Sequence, residues 1–296
     1  AFYHLFGASE WTTRLTSALF GAGSVALIVL LVRRISSQSA ALFGGILLGT
    51  NLFFTRQGQL DVAYIFFLIF STYGWLLWGE GTGKKRGLTL VALGTCGAFM
   101  SKILVGFYVP LILFVLLAVD KRQRWVWRRV FELSGEVIAG VILDLPWHVL
   151  MYLKHGQVFL DAFFGLHLMQ RMSLPIEGHH PALGGLFYVN QLIVQYPESA
   201  LAIGVLAFIV LKKATGLELP RRLIPIAIVW GVVVFAVITL MATKIPQYML
   251  PLSVPVALLG GYVLELLAAR RLSRANTVAL MVLLALTTSW SAVWPL

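Results

Sequence analysis

MYLKHGQVFLDAFFGLHLMQRMSLPIEGHHPALGGLFY, Met151–Tyr188, is the only long stretch of this 296-residue chain that reads neither as a membrane crossing nor as a short basic turn. Four of the six histidines lie in it (His155, His167, His179 and His180), together with Asp161, Arg171 and Glu177. On both sides the chain is apolar. That contrast decides the fold: helices cross a bilayer and present this loop, with a few charged residues, at one membrane face.

Composition agrees with the crossing helices. The chain is 59% hydrophobic and 12% charged, against roughly 45–50% and about 25% in soluble domains. One aqueous core cannot hide so much apolar surface. The length converts into helices at about 20 residues per crossing. Ten apolar runs can be counted: Thr12–Val32, Ala40–Phe54, Val62–Trp78, Gly87–Met100, Ile103–Val119, Val130–Tyr152, Pro197–Leu211, Leu223–Ala242, Tyr248–Ala268 and Asn276–Trp294. The expected fold is therefore all-α, a polytopic transmembrane bundle of about ten helices. It forms one domain over residues 1–296, with residues 153–190 as an outer loop.

The net charge of +11 does not mark a nucleic-acid binder. Its basic residues fall in short turns between apolar runs, where lipid headgroups supply the counter-charge. Alternate turns hold 17 of the 23 basic residues, among them Arg33, Lys84, Arg128, Lys212 and Arg270. The other six are Arg14, Arg56, Lys102, Lys154, Arg171 and Lys244. The positive-inside rule puts the rich set in the cytoplasm and the long loop outside. Cys96 is the single cysteine and lies in an apolar run, so no disulfide or Cys-based metal site is expected.

The six basic residues of the outer face run against the topology rule, and each wants an anionic partner such as a lipid phosphate. In TRQGQLD, Asp61 opens a helix with Arg56 before it. Asp61 reads either as a plain helix-start acid or as a general base at the outer surface. Lys102 in MSKILVG reads as a snorkelling cation or a phosphate contact. TKIPQYMLP repeats the theme with Lys244 and Tyr248; a lone tyrosine at that depth reads first as an interface anchor. Asp144 in LDLPWHV is either an intramembrane functional charge or a side chain that reaches nearby water. In EGHHPA, Glu177, His179 and His180 suit zinc or another divalent ion, or a merely polar loop. No GxxxxGK[ST] and no GxGxxG after a strand occurs, which disfavours a nucleotide-bound substrate.

Taken in order, LFGASEWTTRLTSALFG, TRQGQLD, MSKILVGFYVPLIL, LPWHV, HLMQR, EGHHP and TKIPQYMLPLSVP resemble bacterial membrane glycosyltransferases of the GT-C fold, family 39-like. These are related to protein O-mannosyltransferases and to the aminoarabinose transferase that modifies lipid A. The resemblance implies an inverting transfer of a sugar from a polyprenyl-phosphate donor to a lipid or protein acceptor. The site would be the outer, periplasmic face of a bacterial inner membrane. It matches Asp61 to an acidic position after the family's third-helix turn, and Lys102, Arg171 and Lys244 to basic positions that face the donor phosphate. Asp61 is the catalytic candidate of this chain, and Arg56 and Tyr248 join the donor-phosphate candidates from their place in the outer turns. A loop histidine, His179 or His180, would help hold zinc; no other cofactor is implied. The family carries its principal catalytic acid in an outer loop ahead of the LFGxSEWxxRL motif, where this chain starts. The expectation is therefore of a fragment, without that helix, loop and lysine and without a C-terminal soluble domain, inactive by itself.

Two rival functions are weighed. A polyprenyl-lipid transporter or flippase needs mid-membrane charges and repeated broken helices; the sequence offers Asp144 and no repeat. A non-catalytic membrane scaffold would keep the histidine loop but has no use for the outward basic residues.

Overall fold

The computed structural model describes residues 6–50, 61–81, 83–120, 126–170, 184–194 and 220–269, with single positions at 173, 274 and 278. Among these no strand occurs. The helices are α1 (Glu10–Ile35), α2 (Gln38–Thr50), α3 (Asp61–Glu80), α4 (Lys84–Ser101), α5 (Ile103–Gly106), α6 (Tyr108–Val119), α7 (Trp127–His155), α8 (Gln157–Leu160), a wider π-type turn Asp161–Gln170, α9 (Phe187–Val194), α10 (Leu223–Leu240) and α11 (Ser253–Ala268). Short 3-10 turns cover Gly184–Leu186 and Pro246–Leu252. Among the described residues five stretches are long and apolar enough to cross a membrane: α1, α3, α7, α10 and Pro246–Ala268. The all-α transmembrane expectation holds. Of the ten expected runs, Pro197–Leu211 lies outside the described residues, as does Asn276–Trp294 apart from position 278.

Three expectations differ in detail. The run Ile103–Val119 is two helices, because the chain breaks at Phe107. The run from Tyr248 opens as a 3-10 turn that begins on Pro246, whose ring fixes φ and removes a donor. The long loop is helical in its first part. α7 stops at Gly156, whose φ of +57° is hostile to side chains, and the chain re-forms helix at once. That return segment is held on α7 by rings: Phe163 stands 4.8 Å from His148 and Phe159 6.0 Å from Trp147, while Phe159 and Phe163 stack at 5.1 Å.

The chain forms two compact units. In the first, α3, α4 and α7 pack backbone to backbone. A Cβ on Gly74 would stand 2.7 Å from the carbonyl oxygen of Gly87, and one on Gly140 would stand 2.5 Å from that of Ala92. Membrane helices have no water to drive them together, so this close van der Waals approach is the cohesive term. At the basic end, Glu132 of α7 accepts from Trp78 Nε1 at 2.9 Å, Lys84 Nζ at 2.7 Å and Arg128 Nε at 3.0 Å. The guanidinium of Arg129 covers the Trp78 ring at 5.3 Å. One carboxylate thus ties three helices at one level.

In the second unit, α2 and α11 cross on small residues. A Cβ on Gly261 would meet the Ala40 carbonyl at 2.5 Å, and one on Gly44 the Ala257 carbonyl at 2.8 Å. α10 is joined to the turn before α11 where Trp230 Nε1 donates to the Pro251 carbonyl at 3.0 Å.

Candidate functional site

Asp61 is the first residue of α3 and Lys102 the single extended residue between α4 and α5. Their positions follow from local structure. An acid suits the first turn of a helix, where free N–H groups and the dipole favour negative charge. Lys102 ends α4 by donating its backbone N–H to Ala98, and its carbonyl starts α5 by accepting from Val105 and Gly106. The side chain is thereby aimed back along α3. Its Nζ lies 2.8 Å from Asp61 Oδ1 and 5.9 Å from the ring centre of Tyr64, one turn further on. Asp61 is buried and Lys102 is part-exposed, with 30% of its side chain accessible. The π-type segment Asp161–Gln170 packs against α5, so the start of the long loop borders this pair. Along α3 at about 1.5 Å per residue, Asp61 and Trp78 are separated by roughly the thickness of a hydrocarbon core. The pair and the Glu132 network therefore mark opposite ends of one span.

Lys244 and Tyr248 stand in the second unit. Lys244 is only 7% exposed. Its ammonium donates to the carbonyls of Ile238 at 3.1 Å and Thr239 at 2.5 Å, two of the carbonyls that end α10 unsatisfied by helix. A cation there also meets the negative end of the helix dipole. The Tyr188 ring centre lies 5.4 Å from the same ammonium. Burial pushes the Lys244 pKa below the ordinary lysine value, because desolvation disfavours the charged form. Tyr248 is buried, with its backbone N–H on the Ile245 carbonyl.

The structure thus brings Asp61 to Lys102, a pairing that linear spacing did not show, since the sequence reading put Asp61 beside Arg56. It places Lys244 on helix carbonyls. Arg56, Arg171, Glu177, His179 and His180 lie outside the described residues, and the metal reading with them. Among the described residues no three His, Cys, Asp or Glu side chains gather into a set that could hold a metal ion. Asp144 is buried, and its Oδ2 lies 3.3 Å from Nδ1 of His148. The i,i+4 spacing was the signal that could have found that partner. For Tyr188 the sequence carried no such signal.

Comparison with known proteins then adds the following. The chain is 26% identical over 295 residues to an uncharacterized protein of Aquifex aeolicus, covering 97% of this chain and 55% of that one. It is 25% identical over 291 residues to undecaprenyl phosphate-alpha-4-amino-4-deoxy-L-arabinose arabinosyl transferase of Pseudomonas aeruginosa, covering 93% of this chain and 49% of the relative. Among solved structures, ArnT from Cupriavidus metallidurans bound to undecaprenyl phosphate superposes with a TM-score of 0.76 at 21% identity, over 97% of this chain and 51% of that one. The fold is therefore the GT-C fold. The chain spans about half the length of the curated relatives it matches. The family model described as dolichyl-phosphate-mannose-protein mannosyltransferase matches residues 1–148, half of the 296. A polytopic helical chain with that match belongs to the dolichyl-phosphate-mannose-protein mannosyltransferase family.

Proposed function

We propose that the complete protein is a membrane glycosyltransferase that moves a sugar from a polyprenyl-phosphate donor to a lipid or protein acceptor. The reaction takes place at the outer face of the inner membrane and inverts the anomeric centre. Family membership and the likeness to a transferase solved with undecaprenyl phosphate support the donor class. The single observation that carries the reading is the Asp61–Lys102 pair at the end of a membrane span. A part-exposed cation with a buried carboxylate beside it supplies both groups that such a transfer needs.

The lipid tail lies among the helices and its phosphate comes to Lys102; Arg56 and Arg171 are further candidate cations, and Lys244 with Tyr248 offer the same phosphate chemistry in the second unit. The acceptor attacks the anomeric carbon from the side away from the phosphate. Asp61 takes the proton if the acceptor is a hydroxyl; a phosphate acceptor needs no base. Charge grows on the departing lipid phosphate, and a fixed cation stabilises that charge more in the transition state than in the ground state. Glu177, His179 and His180 would hold zinc if the loop takes a metal, and that metal would order the loop over the site.

The test is turnover of the complete protein with an undecaprenyl-phosphate-linked sugar. Lys102→Ala is expected to lower kcat by roughly 10²–10³-fold, the loss typical of one preorganised electrostatic contact. Unchanged turnover in Lys102→Ala would remove Lys102 from the site.

A further inference from the structure

The Tyr188 side chain is fully buried and does three things within one turn. Its hydroxyl donates to the Ile245 carbonyl at 3.3 Å and accepts the Ile245 N–H at 3.1 Å. Its ring stands 5.4 Å from the ammonium of Lys244. Tyr188 and Ile245 are 57 residues apart in sequence, so this is a tertiary connection and not a local turn. A phenol bonded to both backbone groups of half-buried Ile245 pins the two peptides that meet there: 244–245 through the N–H, and 245–246 through the carbonyl, which also accepts from Tyr248 N–H. Ile245 lies between Lys244 and the 3-10 turn that carries Tyr248.

Lys244 is the second half of the observation. It is buried, its hydrogen bonds go to two neutral carbonyls, and no described carboxylate pairs with it. A buried cation whose described partners are carbonyl dipoles and a ring face is poised for an anion. The turn must be held still for that charge to meet an anion at a fixed place.

We propose that Tyr188 is the positioning residue for the 244–248 turn. It sets the peptide that follows Lys244, and through it the site that Lys244 and Tyr248 offer to the phosphate of a polyprenyl phosphate. This rests on the function proposed above and adds to it a residue that touches neither sugar nor phosphate. It also gives the far end of the long loop a role, since Tyr188 closes the stretch that begins at Met151.

The test uses the complete protein in lipid nanodiscs, with undecaprenyl phosphate as the probe. Tyr188→Phe keeps the ring and removes the hydroxyl. Its half-saturating concentration of undecaprenyl phosphate is expected to rise about tenfold, equivalent to about 1.4 kcal/mol. Amide exchange at residues 245–248 is expected to accelerate by about the same factor. Turnover at saturating donor is expected to change far less than the affinity, a split that general loss of fold would not give. Difluorotyrosine at position 188 preserves the shape, strengthens the hydroxyl as a donor and weakens it as an acceptor, so a smaller shift of both readouts in the same direction is expected if the accepted Ile245 N–H carries the effect. Unchanged exchange at 245–248, or unchanged affinity alongside faster exchange, overturns the proposal. If the wild-type protein binds no undecaprenyl phosphate, the proposed donor class fails and this inference falls with it.

Discussion

Lys102 Nζ and Asp61 Oδ1 meet at 2.8 Å across 41 residues of sequence, joining the end of α4 to the start of α3. The bond is both a structural tie and the centre of the proposed site. Its strength as a tie can be measured apart from catalysis.

Removing one partner leaves the other without its charge. Lys102→Met is expected to destabilise the protein by about 1–3 kcal/mol, because the Asp61 carboxylate is then buried and unpaired. Asp61→Asn in the Lys102→Met background should recover part of that loss, since a neutral amide needs no counter-ion. The double-mutant cycle, read from unfolding in detergent, should give a coupling energy of roughly 0.5–3 kcal/mol. Simple additivity would mean that the pair contributes nothing to the fold.

Lys244 sets a pH dependence with a definite sign. Its ammonium is pushed below the ordinary value of 10.5 by burial, so between the folded and unfolded pKa values the unfolded chain binds more protons. Stability therefore rises with pH across that interval, and below it the cost of the buried charge is present in full. Anion binding that needs the charge falls across the same interval. Melting temperature and undecaprenyl phosphate affinity, followed from neutral pH to about 10.5, should move in opposite directions. Lys244→Met should flatten both curves.

Gly156 has φ +57° and ψ −136°, a backbone region open essentially to glycine alone. Gly156→Ala is expected to cost about 1–3 kcal/mol, although a Cβ there meets no atom within 4 Å. The loss should appear as faster proteolysis between Gly156 and Phe163, where the return segment lifts from Trp147 and His148. Full resistance to proteolysis would show that the chain absorbs the strain elsewhere.

At Gly140 the obstacle is space and not torsion. A Cβ would stand 2.5 Å from the Ala92 carbonyl and 2.6 Å from Thr95 Cβ, both on α4. Gly140→Ala should therefore cost about 1–3 kcal/mol as an overpacking defect. Gly135→Ala, on the same helix with nothing within 4 Å of the added methyl, should be neutral or stabilising through helix propensity. Thermal unfolding of the two variants side by side separates packing from propensity.

The membrane helices were legible because their signal is one-dimensional: an apolar run such as Leu223–Ala242 declares itself without reference to anything else. Asp61 and Lys102 were legible as separate suspects, Lys102 as a cation where topology disfavours one and Asp61 as an acid at a helix start. Their pairing was not, since it depends on how α3 packs on α4. That packing is fixed by contacts such as Gly74 on Gly87, which look like any glycine in a hydrophobic run. The helical return after Gly156 was hidden for a similar reason. Phe159 and Phe163 acquire meaning only once His148 and Trp147 are seen beneath them. Tyr188 was the least legible, because a hydroxyl that reads a distant peptide leaves no periodicity behind.

α7 has 29 residues and is about 43 Å long at 1.5 Å per residue, against a hydrocarbon thickness of about 30 Å. With Glu132 held at the headgroup level by Trp78, Lys84 and Arg128, about twenty residues carry α7 through the bilayer to the neighbourhood of Tyr152. The surplus is therefore small at that end, and the break at Gly156 falls where lipid gives way to water. A chain that turns back there lays Phe159 and Phe163 over Trp147 and His148, two turns before the break. The last turns of α7 are thus partly roofed by the chain's own rings, where a bare helix would meet headgroups.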